Sequence, residues 1–289
     1  MSDRLPEPYP SPLRAHFIRA TATTLVVAAV VWLVLVQWLP ASVWPPAARP
    51  EQCECLAHDW TPGTAPTYSL ESLARTIREP QNSWSCLAYA FVALVVLQRS
   101  RATLTRWFAA AVALLGLGAL LYHASGSRTL RHLDIASLYW VYGMVLCASA
   151  TRVWRGDRTV PCRRGTDTLL ALGALGFAVA VTVFRNIRLG DFKPLHVSVT
   201  TGVTAACAAT CMAVLCLRRR SRASWSLWLG ALALLGVGVL LQIGDRPGNW
   251  LCFPGGPVQP HALWHISSAA CLWLVAEFLE LPSKPVPRA

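Results

Sequence analysis

The chain has 289 residues, of which 54% are hydrophobic and only 14% are charged, against roughly 25% charge in an ordinary soluble domain. That excludes a soluble globular class and leaves a polytopic membrane protein. The net charge of +12 raises nucleic acid as a partner. However, the basic residues lie in short segments between apolar runs, without a domain of interleaved aromatics, so they read as topology signals facing anionic lipid and no nucleic acid is expected.

Residues 1–17 read as a cytoplasmic tail, followed by an apolar run over 18–39. Its apolar core, Ala20 to Leu39, is longer than the 7–15 residues of a typical signal-peptide core, and Trp32 and Trp38 suit interfacial anchors. An uncleaved additional transmembrane helix is therefore expected there.

Residues 40–82 form the long extramembrane stretch. It opens with a proline-rich, semi-rigid connection to Pro50. A short helix over 68–78, capped by Ser69 with Glu71 in its first turn, is expected to pack as a lid against the outer mouth. Glu54, Glu79 and Asn82 offer hard oxygen ligands there, of the kind calcium takes. From spacing alone, solvated surface acids are the plainer reading.

Seven further apolar runs of spanning length follow, near 83–99, 106–124, 133–151, 167–185, 195–217, 225–243 and 261–279, with a tail at 280–289. The fold class is thus all-α integral membrane, a seven-helix bundle core over 83–279 with one additional N-terminal transmembrane helix. Placing the N-terminus inside puts 17 of the 26 Lys and Arg on the inner side. Both termini are expected to be cytoplasmic, in the plasma membrane if the source is bacterial.

Against this topology, His123 ends one run, Asp134 starts the next, and His261 and His265 open the last. All four fall at the outer membrane depth. His261 and His265 are four apart, so on a helix both rings stand on one face. Ionisable groups inside a membrane are costly and mark function. Three histidines leave an open position, as in a catalytic zinc site, which is favoured over simple interhelical hydrogen bonds. His16 and His58 fall outside the spans. His132 is interfacial or a neighbour of the site, and His196 reads as a hydrogen-bonded structural residue.

Cys86, Cys147, Cys207, Cys211, Cys216 and Cys271 fall within apolar runs as small hydrophobes, and Cys162 in an inner loop. Cys53, Cys55 and Cys252 fall outside, where disulfides persist. A bond from Cys53 or Cys55 to Cys252, with Cys53–Cys252 the favoured pair, would pin the long segment beside the helix carrying His261.

With these residues in place, the sequence resembles the alkaline ceramidase family of membrane hydrolases, within the group that includes adiponectin-receptor-like and Per1 proteins. The resemblance covers about residues 53–279. Its carriers are Cys53-Glu54, the run from Glu79 to Ser85, Leu121-Tyr122-His123 with Asp134 eleven residues later, and His261-Ala262-Leu263-Trp264-His265. It implies zinc held by His123, His261 and His265, with Asp134 as the proton-transferring group, and calcium held by Glu54, Glu79 and Asn82. The reaction it implies is hydrolysis of the amide of a ceramide-like membrane lipid to a sphingoid base and a fatty acid.

Tyr122 and Trp264, next to the histidines, either line the substrate cavity or belong to an interfacial aromatic belt. One departure stands out: Ala119 occupies the position where the family usually has a serine, four residues before the first histidine. A phospholipid acyl hydrolase of the Per1 type, or a non-catalytic lipid-binding or receptor-like relative, are the alternatives.

Overall fold

A computed structural model describes residues 18–26, 79–100, 102–154, 164–186, 197–245, 249–251 and 258–281. The expected tail at 1–17, residues 282–289 of the expected tail at 280–289, all of 40–78 in the expected outer segment 40–82 (with Cys53, Glu54, Cys55 and His58), and Cys162, Cys252, His16 and His196 lie outside the described residues, as do 27–39 of the first apolar run.

Among the described residues the chain is all helical. Residues 18–26 are helical, and eight helices follow: α1 (Pro80–Ser85), α2 (Leu87–Arg99), α3 (Thr103–Ser125), α4 (Arg128–Trp154), α5 (Arg164–Asn186), α6 (Val197–Arg219), α7 (Arg222–Gly244) and α8 (Pro260–Glu280). In lipid every backbone polar group must be satisfied within the segment, so apolar runs of this length fold as helices. Six of them, α3 to α8, are long and apolar enough to cross a membrane.

The run expected near 83–99 is divided. Pro80 opens α1 at a position where its missing N–H costs nothing. Cys86 then joins α1 to the 13-residue α2, which is too short to span alone. The other helices begin and end within a few residues of the expected runs.

In α3, α4 and α8, 56% of the spanning window is buried inside the protein, against 28% in α5 and α6 and 17% in α7. The first three therefore form the centre, and the apolar faces left exposed on the others, such as Leu169, Val203 and Leu240, suit a lipid surround. Gly116 and Gly118 let α3 sit tightly between its neighbours. A Cβ on Gly116 would stand 3.0 Å from Tyr89 Cβ, and one on Gly118 would stand 3.1 Å from Cα and N of Asp134.

The far end of α8 is tied down by polar groups. Arg219 is buried, donates from Nη1 to the Phe278 carbonyl at 3.0 Å, and lies 4.9 Å over the Phe278 ring. Arg99 pairs with Glu277, and Ser100 Oγ donates to Glu280 Oε1 at 2.6 Å. These ties fix the helix that carries two of the three histidines.

Candidate metal centre

His123 stands at the C-terminal end of α3, and His261 and His265 stand one turn apart at the start of α8. The fold brings the three together. Their ring centroids are 5.0 Å (His123–His261), 5.0 Å (His123–His265) and 4.6 Å (His261–His265) apart. One nitrogen from each lies within 4.8 Å of the others, and all three residues are buried. The cluster could hold a metal ion; three imidazole nitrogens suit zinc and do not single it out.

The surroundings decide which nitrogens face inward. His123 Nδ1 lies 2.6 Å from Glu79 Oε2, an acceptor-only carboxylate, so Nδ1 carries a proton and Nε2 is the nitrogen left to meet a metal. Ser85 Oγ donates its single hydrogen to the Asn82 carbonyl at 2.8 Å. His265 Nδ1–H therefore donates to Ser85 Oγ at 2.8 Å, with the Asn82 carbonyl also 3.2 Å away. In two of the three rings Nδ1 is thus the hydrogen-bond donor and Nε2 is the nitrogen left for a metal. On this donor set the residues fit a zinc ion.

Glu79 is 6% exposed and stands just before α1, outside the membrane-length helices. Its burial raises the carboxyl pKa. The charge and hydrogen bond of His123, the amide of Asn82 and the charge of His261 outweigh that and hold it at about 2. Glu79 N–H also donates to the His123 carbonyl at 3.2 Å, so backbone and side chain lock the two residues together.

Asn82 Nδ2 donates to Glu79 Oε2 at 2.9 Å, while Asn82 Oδ1 is buried without a hydrogen-bond partner among the described residues. Glu79 and Asn82, two of the three expected calcium ligands, are therefore adjacent. The third, Glu54, lies outside the described residues.

The histidines line one end of a cavity of about 690 Å³ together with Asp134, Tyr122, Trp264 and Ala119. Its other end is apolar, reaching Val145, Met212 and Val275. From His261 to Val275 along α8 the cavity extends about 21 Å at 1.5 Å per residue, some two-thirds of a hydrocarbon core about 30 Å thick. Asp134 is partly buried. The Tyr122 ring centroid lies 4.9 Å from that of His123, with the rings tilted by 51°. Trp264 lies over Gly238, where a Cβ would come within 2.5 Å of its ring. His132, partly buried on α4, does not join the metal cluster.

Sequence reasoning missed two participants and one bond. Ser85 and Cys86 both reach His265 Nδ1, the Cys86 sulfur at 3.4 Å, although Cys86 reads from the sequence as a small packing residue. The bond from Glu79 to His123 was equally hidden, although its partners are both polar residues at the ends of apolar runs. The six cysteines within the apolar runs are free thiols.

The fold and site define a multi-pass helical membrane protein with a buried three-histidine centre at the polar end of an apolar cavity. Comparison with protein-family models finds no match, and comparison with curated proteins finds none either.

Proposed function

We propose that the protein is a zinc-dependent membrane hydrolase that cleaves the amide bond of ceramide-type lipids, releasing a sphingoid base and a fatty acid. The observation that carries this reading is the placement of a buried histidine cluster and Asp134 together at one end of a long cavity whose other end is apolar. Such a cavity suits a lipid whose polar group meets the histidines while its chain occupies the apolar end.

His123, His261 and His265 would hold the zinc, which supplies Lewis acidity toward a carbonyl and toward water. Asp134 takes up a proton from the attacking water and returns it to the leaving nitrogen. Glu79 and the Asn82–Ser85 turn keep His123 and His265 in the metal-binding tautomer. Tyr122 and Trp264 flank the reacting group.

The resemblance to alkaline ceramidases supports the choice of an amide lipid. It also supports a core of seven spanning helices, counting α1 with α2 as one, plus the additional helix over 18–39. The buried oxygen of Asn82, without a partner among the described residues and beside the Glu79 carboxylate, is compatible with a calcium ion there. The distribution of Arg and Lys supports cytoplasmic termini and a metal centre toward the outer face.

Ala119 lines the cavity with no hydroxyl, which favours a second reading, a lipid-binding relative that keeps its metal for structure. Fatty-acid release from ceramides and glycerophospholipids by the purified protein separates the two, with His265→Ala as control. Release from ceramide that disappears in the variant is expected. Release from glycerophospholipids alone would move the assignment to a phospholipid acyl hydrolase, and no release from any lipid by folded protein would favour the binding relative.

A further inference from the structure

Just below the histidines the cavity wall carries a pair of hydroxyls that the reading above does not use. Tyr89 on α2 and Ser268 on α8 both line the cavity, both are at least nine-tenths buried, and their oxygens are 2.6 Å apart. Ser268 is three residues beyond His265, about 4.5 Å deeper along the helix axis. The Tyr89 ring centroid is 5.9 Å from that of His265. The pair therefore borders the space a lipid's reacting group would occupy.

The proton count of this pair fixes what it can offer. Ser268 Oγ donates its one hydrogen to the helix backbone, at 2.7 Å from the Trp264 carbonyl and 3.2 Å from that of His265. With that hydrogen directed to the backbone, the one between the two hydroxyls comes from Tyr89, with Ser268 accepting. Tyr89 has no second hydrogen to give. In that arrangement the phenol oxygen of this cavity-lining residue is an acceptor only.

A buried acceptor in a largely apolar cavity selects for a ligand that brings a donor, because a ligand without one leaves it unpaired. We infer that Tyr89, set by Ser268, is a specificity-determining residue: it accepts a hydrogen bond from an amide N–H or hydroxyl beside the acyl carbonyl and so favours acyl amides and hydroxylated acyl lipids over plain esters. This rests on the reading of the cavity as a lipid site and does not depend on whether the lipid is cleaved.

The test uses three chain-matched probes: hexadecyl palmitate, which has no donor; N-hexadecyl palmitamide, which has an N–H; and hexadecyl 2-hydroxypalmitate, which has a hydroxyl. Binding of each is measured by competition with a fluorescent lipid in the zinc-loaded, detergent-purified full chain carrying Asp134→Asn, so that turnover does not deplete the ligand. The donor-bearing probes are expected to bind about ten-fold more tightly than the plain ester.

Tyr89→Phe should abolish that difference while preserving the ring. Ser268→Ala should free the phenol hydrogen, tighten binding of the plain ester through its carbonyl and so narrow the preference, a gain that general loosening of the fold would not produce. Equal binding of all three probes by the parent, no binding of any of them, or an undiminished preference in Tyr89→Phe would overturn the inference. Fatty-acid release by the chain with Asp134 intact is followed separately on the same probes. Its absence would remove the hydrolase reading while a donor preference in binding would still uphold the role of Tyr89.

Discussion

Glu79 and His123 are joined twice: the Glu79 N–H donates to the His123 carbonyl at 3.2 Å, and His123 Nδ1–H donates to Glu79 Oε2 at 2.6 Å. The start of α1 is thereby fastened to the end of α3, and one imidazole of the cluster is fixed in rotation and tautomer. Groups that orient a metal-binding histidine in this way typically contribute 10–100-fold to metal affinity. Glu79→Gln is therefore expected to weaken zinc binding by about that factor, measured by competition with a chelator of known affinity. If Glu79 acts by orienting His123, the loss will be the same with and without calcium in the buffer; unchanged zinc affinity would remove it from that role.

Ala119 sits one turn before His123, buried, with its methyl on the cavity wall. A single hydroxyl donor near a reacting carbonyl can be worth about 10²–10³ in rate. Ala119→Ser adds one oxygen to a residue that lines the cavity. Steady-state turnover of ceramide should rise toward that range if the absent hydroxyl limits the reaction. Unaltered turnover would mean that another group already supplies the donor.

The position of Asp134 depends on a residue that carries no chemistry. Because a Cβ at Gly118 would stand 3.1 Å from backbone atoms of Asp134, Gly118→Ala must push α3 and α4 apart. Overpacking of this kind costs about 1–3 kcal/mol. A lower thermal midpoint in detergent is expected, with hydrolysis falling further than zinc content, since the histidines come from α3 and α8 while Asp134 comes from α4. Equal midpoints would mean that the helices separate at no cost.

The length of the apolar end should set the length of the chain it takes. Ala208 is buried on α6 and lines that end, well away from the histidines. Ala208→Phe fills part of the space and should shift preference toward shorter acyl chains while leaving zinc content unchanged. A panel of ceramides differing only in acyl length reads this directly; an unshifted profile would mean that the chain lies elsewhere.

Much of this architecture is legible in the sequence because lipid imposes a simple rule: an apolar run of spanning length must be a helix. The starts of α3 to α8 fall close to the expected runs for that reason. The histidine cluster is legible because His261 and His265 follow helical spacing and His123 shares their depth once the runs are threaded in alternation. Cys86 is different. Whether a cysteine packs as a hydrophobe or reaches an imidazole depends on where α1 ends and α2 begins, and no periodicity marks that joint. Nor can spacing find the partners of Tyr89 and Glu79, which lie 179 and 44 residues away. Their roles arise from packing alone.

The central claim, that His123, His261 and His265 together hold one zinc ion, is tested most directly by the metal content of the purified protein. Elemental analysis of the full chain and of His123→Ala, His261→Ala and His265→Ala, each shown to be folded, should give about one zinc per chain for the parent and a large loss in every variant. A full equivalent of zinc retained in any one of the three, or a parent that binds none when zinc is supplied, would contradict it.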